Sequence, residues 1–526
     1  MIELHQNPIL RASRNQWLVY AMLTIFSFTL MLFCTKSSPL FAFNDWYDAN
    51  VYFTMGKGLM NGRVPYVDLI DNKGPLLYLI YGISWMFDNT GFFGVYLFQS
   101  LFVAVSVIFA YKLALLFIKN AQIAFFVALC SPMPMLLNRF YAVGYDFGGG
   151  GPDEICRALM IAALFYFTLY YVKPEEYKPL HTLILGCLFM GAFLIKFNLT
   201  VFWAGFLLII AFELIYKKKF AFLLRHIAAF VSGAAATVLP YLIYGAVTES
   251  LGAFVNTYFL YNWLYVNPSN NLVIKAVESL ISAVGAIGSM WGISLLFSVG
   301  AVFVFFVCRT GFKVGYSLSL ILLFTATYYT TIRFATIHIP FTVSLIFGMV
   351  ALGVLVEKYL TKHRLPKLLI FMKPIAVISV MCVTIALNGL VTYELFLSDK
   401  QSVQQQMAEI IRKNTRSDSP TLLEINGLDS GFYTAAGIIP DEPYFFVYNV
   451  DHEVYPYPRE AQKNAVTEGH SEFVIVGEAA GSMPINPYNI RQSYDEIYVL
   501  HGTGYQSNIV YYLFRRKLDF AKGGAE

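Results

Sequence analysis

The sequence predicts a polytopic α-helical membrane protein with a small α/β domain at its C-terminal end. Three observations support this fold class: 57% of the 526 residues are hydrophobic, only 13% are charged, and long apolar runs follow one another through most of the chain. Soluble globular proteins contain about a quarter charged residues. The basic residues lie in small clusters between apolar runs, which is typical of topology signals and does not indicate a nucleic-acid partner.

The apolar runs are long enough for about eleven membrane spans, because a helix needs roughly 20 apolar residues to cross a bilayer. The predicted spans are 16–35, 91–118, 121–138, 157–172, 181–196, 200–216, 222–244, 285–307, 314–331, 337–356 and 369–395. The shorter aromatic segments 75–87 and 250–283 are typical of helices that lie at the membrane interface.

Basic residues are distributed unevenly between the two sides of these spans. One side receives clusters at 11–14, 217–225 and 358–367, whereas the other receives scattered cations. The positive-inside rule therefore places the N-terminus in the cytoplasm and the loop 36–90 outside. No small-residue cleavage site follows the first apolar run, so we expect an uncleaved first span. An odd number of spans places the C-terminal region outside the cell.

The chain is predicted to contain two domains, a membrane domain over 1–396 and a polar domain over 397–526. The polar domain contains a predicted helix near 401–414. Its strand-like runs lie at 420–425, 443–448, 472–477 and 508–515. This alternation predicts a small α/β fold. The domain has no cysteine and no Gly-rich phosphate loop in its sequence, so we do not expect chemistry there.

The first outer loop, 36–90, contains the most informative stretch of the sequence. Ionisable residues at the edge of a membrane are costly unless they face water, protein or a charged headgroup. A helix is predicted over about 46–60, with Asn44 or Asp45 as its N-cap. Asp45 and Asp48 would then share a helix face, where one of two neighbouring carboxylates can accept a proton near neutral pH. The alternative is that both only cap or solvate an amphipathic helix.

An acidic group and a cation lie at the far end of this loop. The sequence Asp71-Asn72-Lys73-Gly74-Pro75 is predicted to turn the chain into the interfacial helix. Lys73 would lie at headgroup height on the outer side, where an ammonium can bind a phosphate. The alternative for an isolated lysine is that its side chain only extends to the interface.

The second candidate loop, 139–156, is rich in glycine. Its glycines permit a close approach of the backbone to a ligand or another loop, and Pro152 suits the first turn of the following span. Asp153 and Glu154 would lie in that first turn, where the helix dipole favours negative charge and capping alone would explain them. Cations near these acidic loops predict a pocket for a phosphorylated lipid, and they are Arg139, Arg157, Arg333 and His338.

The stretch 48–78 resembles bacterial GT-C glycosyltransferases, and more narrowly the family 39-like enzymes of the PMT-2 or ArnT-like type. The matching residues are Asp48-Ala-Asn-Val-Tyr, Gly56-Lys57, Gly62, Val64-Pro65-Tyr66-Val67-Asp68 and Asp71-Asn-Lys73-Gly-Pro75-Leu-Leu-Tyr. The resemblance implies a GT-C fold and the use of a polyprenyl-phosphate sugar on the outer face of the bacterial plasma membrane. Few motifs match after residue 160, so function still depends on the site itself.

The resemblance also implies roles for individual residues. Asp48 corresponds to the catalytic aspartate of the first loop. Lys73 corresponds to the lysine that faces the lipid phosphate, here in a Lys-Gly-Pro rather than a Lys-Pro-Pro-like motif. Glu154, with Asp153 as its competitor, corresponds to the acidic residue of the second loop. The full set of predicted substrate-binding residues is Lys73, Asp45, Asp71, Arg139, Arg333 and His338.

Together with these residues, the resemblance implies an inverting enzyme that transfers a hexose or pentose from a polyprenyl phosphate to a cell-envelope acceptor. Asp48 would accept the proton of the acceptor hydroxyl, and Lys73 would stabilise the leaving phosphate. The acceptor could be a glycan, a teichoic-type polymer, a lipid or a protein. We expect no required cofactor and no metal site, because cations supply the charge stabilisation and the sequence shows no metal-ligand cluster. A divalent ion held by Asp153 or Glu154 stays compatible with the sequence.

Two other functions are compatible with the composition. A lipid-linked sugar transporter or flippase would place its coupling charges near the bilayer midplane, often in repeated halves, whereas the charges here lie at loop height. A non-catalytic glycolipid-binding assembly protein would not need Asp48 and Lys73 together. The sequence therefore favours the enzyme.

Overall fold

The computed structural model describes residues 14–133, 149–266, 291–329, 338–362, 373–387, 401–447, 450, 452–481, 486–503, 506–518 and 520. These residues divide into two compact units. The first comprises the described residues of Met1–Cys34, Gln99–Pro240 and Ser269–Thr392, and the second those of Thr35–Phe98, Tyr241–Pro268 and Tyr393–Glu526. The second unit therefore groups the first outer loop with the C-terminal region. The predicted domain boundary at 396 stays a prediction.

Helices dominate both units. In chain order they are α1 (Arg14–Cys34), α2 (Tyr47–Met60), α3 (Pro75–Trp85), α4 (Phe93–Ala114), α5 (Ala121–Cys130), α6 (Pro152–Val172), α7 (Pro179–Phe193), α8 (Val201–Tyr216), α9 (Phe220–Val247), α10 (Leu251–Val255), α11 (Asn262–Val266), α12 (Trp291–Val307), α13 (Thr310–Tyr329), α14 (His338–Lys362), α15 (Lys373–Leu387), α16 (Val403–Asn414), α17 (Phe432–Ala436) and α18 (Tyr457–Glu468). A 3₁₀ turn over Phe197–Thr200 precedes α8, and a π-helix over Asn256–Tyr261 joins α10 to α11.

Within the described residues, six helices are long and apolar enough to cross a membrane. They are Gln16–Cys34, Phe93–Ala114, Pro152–Val172, Phe197–Tyr216, Phe220–Val247 and Val343–Lys362. Shorter apolar helices overlap the other predicted spans, at Ala121–Cys130, Pro179–Phe193, Ser294–Val307, Thr310–Ala326 and Val377–Ala386. A helix is thus present in each predicted span, which confirms the polytopic helical fold class. The segments predicted at the interface are helical over Pro75–Trp85 and from Leu251 to Val266.

Close packing of α7 on α9 depends on glycine. A Cβ atom on Gly186 would collide with the backbone carbonyl of Phe230, and one on Gly233 with the backbone carbonyl of Leu183. In a membrane, small residues at helix contacts let two backbones approach closely, and the van der Waals contact then holds the helices together. Gly191 lies further along α7, and a Cβ atom there would lie at the ordinary contact distance of 3.5 Å from the side chain of Leu159.

The C-terminal region contains a four-stranded sheet of order β1-β2-β4-β3. β1 (Leu422–Ile425) pairs in parallel with β2 (Phe473–Ala479), and β4 (Ile509–Arg516) pairs antiparallel with β2 and with β3 (Tyr494–His501). A capping box begins α16, since the hydroxyl of Ser402 accepts from the N–H of Gln405 and the Gln405 side chain accepts from the N–H of Ser402. The predicted small α/β fold is confirmed.

Two details of this region differ from the prediction. The strand expected at 443–448 is wrong for its described part, because Phe445 and Phe446 bury their rings without joining the sheet. The N–H of Val447 instead donates to the carbonyl of Gly427 at 2.8 Å in a loop. β3 was not predicted, because its mostly exposed sequence YDEIYVLH lacks a buried alternating face.

The glycine contact of α7 gives a matched stability test. Gly186→Ala should lower the melting temperature of the detergent-purified protein, because the added methyl meets a backbone carbonyl of α9 and overpacking costs about 1–3 kcal/mol. Gly191→Ala is the control: the same substitution in the same helix, where the new methyl has room. Melting followed by intrinsic fluorescence measures both. Equal melting temperatures for the two variants would contradict the close helix contact.

Candidate active site

Asp48 lies in the first turn of α2 and is half-buried. The helix begins at Tyr47 with Trp46 as its N-cap, and Trp46 makes no side-chain cap hydrogen bond. The predicted cap at Asn44 or Asp45 is therefore wrong. Asn44 Oδ1 accepts from the N–H of Trp46 at 3.2 Å, so it closes a turn just before the helix. The helix N-terminus favours negative charge at the position of Asp48.

Asp45 has an ion-pair partner that the sequence analysis did not include among the site residues. Lys36 Nζ lies 2.7 Å from Asp45 Oδ1, with the two side chains 6% and 14% exposed. Asp45 precedes α2, so the predicted shared helix face with Asp48 is also wrong. This ion pair gives Asp45 a structural role at the entrance to α2.

Side-chain amides of the C-terminal region hold the segment that leads into α2. Gln405 Nε2 donates to the carbonyl of Ala42 at 3.1 Å, and Gln506 Nε2 donates to the carbonyl of Asp45 at 3.0 Å. Gln506 is itself fixed, because its Oε1 accepts from Gln404 Nε2 at 2.9 Å. The backbone just before Asp48 is therefore set by residues that lie more than 350 positions away in the sequence.

A buried lysine anchors the opposite end of α2. Lys57 is 1% exposed, and its Nζ donates to the carbonyl of Tyr433 at 2.7 Å and to that of Ile438. One turn earlier, Thr54 Oγ1 donates to Asp429 Oδ2 at 2.7 Å. Burial lowers the pKa of Lys57 to about 7 and raises the pKa of Asp429 to about 6, because each charged form loses its hydration.

Lys73 lies in the turn between α2 and α3, and tyrosines hold its backbone. Tyr66 donates its hydroxyl to the carbonyl of Lys73 at 2.8 Å, and the N–H of Lys73 donates to the hydroxyl of Tyr78 at 3.0 Å. Tyr78 in turn donates to Asp71 Oδ2 at 2.8 Å. Burial raises the pKa of Tyr78 well above its usual value, so its proton stays in this bond. Asp71 therefore orders the turn, and its contact with a substrate stays a prediction.

Tyr66 has a φ of 71°, the left-handed region that is unfavourable for a bulky residue. Two contacts maintain this conformation: the N–H of Tyr66 donates to the carbonyl of Leu69 at 2.7 Å, and its ring lies 5.4 Å from that of Phe254. Strained residues of this kind often lie at functional sites. Here the strain is located in the residue that binds the carbonyl of Lys73.

The ammonium of Lys73 is bound by a neutral group. Its Nζ donates to Asn72 Oδ1 at 2.7 Å and lies 6.0 Å from the ring centroid of Tyr52. An amide oxygen leaves the positive charge in place, unlike the carboxylate that pairs with Lys36. An ammonium has three donors, so Lys73 retains the capacity to bind an anion.

Asp153 and Glu154 lie in the first turn of α6, which begins at Pro152 as predicted. Lys196 Nζ lies 2.8 Å from Asp153 Oδ1 and 3.0 Å from its Oδ2. Gln99 Nε2 donates to Glu154 Oε2 at 2.7 Å. Asp153 is therefore in an ion pair, and Glu154 accepts a hydrogen bond from an amide. Both lie in the first unit, while Asp48 and Lys73 lie in the second.

The remaining predicted site residues are only partly covered. Arg139 and Arg333 lie outside the described residues, and His338 is known only as the first residue of α14. Arg157 is buried in α6. Across the described ranges, no group of three or more His, Cys, Asp or Glu residues could hold a metal ion. The expectation that no cofactor is required stays a prediction.

Sequence reasoning missed Lys36 and Asp429, and it assigned no role to Lys57 although Gly56-Lys57 is part of the stretch that carries the resemblance. Each is an isolated charge in its segment, and each finds its partner only through the fold. The sequence signal that could have pointed to them was a charged residue at the edge of a membrane, where burying a charge is costly.

Comparison with solved structures identifies the fold. The crystal structure of ArnT from Cupriavidus metallidurans bound to undecaprenyl phosphate matches 98% of this chain and 100% of its own, with a TM-score of 0.60 and 12% sequence identity. The chain shares the fold of ArnT. The apo structure of ArnT from the same organism gives a TM-score of 0.58 at 12% identity, over 95% of this chain and 98% of that chain.

A second kind of protein is similar at a lower level. The apo oligosaccharyltransferase from Archaeoglobus fulgidus has a TM-score of 0.50 and 12% identity, over 87% of this chain and 69% of that chain. No protein-family model and no curated protein sequence matches the chain. The predicted GT-C fold, which the resemblance of residues 48–78 to ArnT-like enzymes implied, is confirmed, and the chain is a multi-pass membrane protein.

The buried Lys57 predicts a pH dependence of stability. Its pKa is about 7 in the folded protein against 10.5 when exposed, so the unfolded chain binds more protons between these values. Stability should therefore rise with pH through this window, by up to about 1.4 kcal/mol per pH unit. Lys57→Met should remove this contribution and flatten the pH dependence.

Melting temperatures of the wild type and the variant between pH 7 and 9.5 measure the difference in slope. Lys413→Met is the control. Lys413 is 77% exposed and its ammonium lies 4.0 Å from the carboxylate of Glu409, so the substitution should leave the slope of melting temperature against pH unchanged. Parallel curves for the wild type and Lys57→Met would show that Lys57 does not titrate in this range.

Proposed function

We propose that the chain is a membrane glycosyltransferase that moves a sugar from a polyprenyl phosphate to a cell-envelope acceptor. The observation that carries the proposal is the Lys73 turn, an ordered loop that holds an ammonium beside a neutral acceptor. It lies in a chain that shares the fold of a protein crystallised with undecaprenyl phosphate. A lysine held in this way suits the phosphate of a lipid carrier.

The proposed reaction is a single displacement with inversion. The acceptor oxygen attacks the anomeric carbon while Asp48 accepts its proton, and the bond from that carbon to the phosphate oxygen breaks. Negative charge grows on the departing polyprenyl phosphate, where Lys73 stabilises it. The start of α2 and the turn before α3 both belong to the second unit, so a single folded body carries both groups.

Glu154 and Asp153 remain the candidate acidic residues of the second loop. Glu154 is proposed to orient an acceptor or a divalent ion, with Asp153, which pairs with Lys196, as its competitor. Fixed cations supply the charge stabilisation in this mechanism, and no cofactor is required. Arg139, Arg333 and His338 are proposed as further contacts of the donor phosphate.

The proposed location is the outer face of a bacterial plasma membrane, with the N-terminus in the cytoplasm and the C-terminal domain outside. The distribution of basic residues supports this orientation. The acceptor is proposed to be a glycan, a teichoic-type polymer, a lipid or a protein of the cell envelope. A transporter or flippase is less well supported, because Asp48 and Lys73 lie outside the long apolar helices rather than at their midpoints.

Asp48→Asn should reduce sugar transfer by about 10²–10⁴-fold, because general base catalysis contributes about that much. Transfer of a radiolabelled sugar from a defined undecaprenyl-phosphate donor, in membranes that contain equal amounts of protein, measures the effect. Asp441→Asn is the control in the same unit, since Asp441 is 48% exposed in a surface pair with Arg63. Full activity of Asp48→Asn would remove this residue from the role of base.

Deletion of the gene should remove one sugar substituent from the cell envelope. Comparing envelope glycans of the deletion strain with those of its parent by mass spectrometry identifies the sugar and the class of acceptor. Complementation with wild-type protein should restore the substituent, whereas Asp48→Asn should not. Identical envelopes in both strains, under conditions where the gene is expressed, would contradict the proposal.

A further inference from the structure

We infer that Asn262 is a positioning residue for Lys73: it fixes the side-chain amide of Asn72, whose oxygen holds the ammonium that receives the lipid phosphate. The inference rests on the proposed function and extends the same site to a segment about 190 residues further along the chain. It is carried by a chain of hydrogen bonds in which each bond determines the orientation of the next.

The chain begins at the amide nitrogen of Asn262. Its Nδ2 donates to the carbonyl of Tyr258 at 2.9 Å and to the carbonyl of Asn72 at 2.8 Å. With its NH₂ group facing two backbone acceptors, Asn262 must direct its Oδ1 elsewhere. That Oδ1 accepts from Asn72 Nδ2 at 3.1 Å. The remaining end of the Asn72 amide, Oδ1, accepts from Lys73 Nζ at 2.7 Å.

The orientation of the Asn72 amide matters because its two ends have opposite polarity. A primary amide has a donor end and an acceptor end, and a flipped Asn72 would direct its NH₂ group at the ammonium of Lys73. Asn262 prevents this flip by accepting from that NH₂ group. A flexible lysine side chain loses rotamer entropy when it binds an anion, and a fixed acceptor reduces that loss beforehand.

The position of Asn262 depends on the π-helix Asn256–Tyr261, after which Asn262 is the first residue of α11. π-helical segments are rare in proteins, and those that occur often lie at functional sites. Buried aromatic residues fix the segment: Tyr258 and Tyr261 are 1% and 4% exposed. Phe254 packs on the ring of Tyr66, which also binds the carbonyl of Lys73. The segment 251–266 thus supports the Lys73 turn at both its side chain and its backbone.

Binding of undecaprenyl phosphate to the purified full-length protein in detergent tests the inference. Lys73→Gln should weaken binding strongly. Asn262→Leu, which preserves side-chain size, should weaken it about tenfold, because it frees the amide that bonds to a charged group. In protein that already carries Lys73→Gln, adding Asn262→Leu should change the affinity for undecaprenyl phosphate by less than about twofold. The reason is that Asn262 affects binding only by positioning Lys73.

Two further variants keep the test decisive. Asn72→Ala removes the Asn72 amide from the turn without altering the π-helix. It should bind undecaprenyl phosphate as weakly as Asn262→Leu does. The double variant Asn72→Ala/Asn262→Leu should bind no more weakly than either single variant. Asn464→Leu, at an exposed position of α18 in the same unit, should bind as the wild type does. Melting temperatures report whether each variant is folded.

The outcomes separate the inference from the proposed function. If the wild type does not bind undecaprenyl phosphate, or if Lys73→Gln binds as tightly as the wild type, the proposed function is overturned and the inference with it. If Lys73 behaves as proposed but folded Asn72→Ala and Asn262→Leu bind normally, the inference alone is overturned. An equal loss from Asn262→Leu with and without Lys73 would show a merely structural role and would also overturn it.

Discussion

Helix α2 is tied at both ends to the C-terminal region, and the geometry of the first loop depends on these contacts. At its start, Gln405 and Gln506 hold the backbone that leads into the helix. At its other end, the ammonium of Lys57 enters the C-terminal region and binds two carbonyls. A helix of 14 residues has little stability by itself in water, so tertiary contacts decide where it lies. The C-terminal region thus has a structural task, even though no catalytic residue is proposed there.

The ionisable residues of the site divide by the chemistry of their partners. Lys36 and Lys196 are each paired with an aspartate, so much of their charge is compensated within the protein. Lys73 is held by an amide oxygen, which orients the ammonium and preserves its positive charge. A charged ligand needs such an uncompensated group, because compensation by a fixed carboxylate would weaken the attraction. In this respect Lys73 differs from Lys36 and Lys196.

The fold is shared with ArnT at only 12% identity. Membrane spans impose few demands on residue identity, because an apolar helix of the right length satisfies its own backbone hydrogen bonds. The specific demands fall on the places where backbones touch, such as Gly186 and Gly233, and on the loops. Similar folds can therefore carry very different sequences, and the function has to be argued from the loop residues.

The sequence by itself determined the helical spans, the helices within 75–87 and 251–266, the α/β character of the C-terminal region and the turn that contains Lys73. These features follow from local patterns: the length of the apolar runs, the period-2 alternation of apolar and polar residues, and the helix-breaking residues Gly74 and Pro75. The tertiary structure alone decided which polar groups meet. The partner of Asp45 and the link from Asn262 to Lys73 join residues whose distance along the chain says nothing about their distance in space. Hydrogen bonds and ion pairs act over about 3–4 Å, so only the packed fold can specify them.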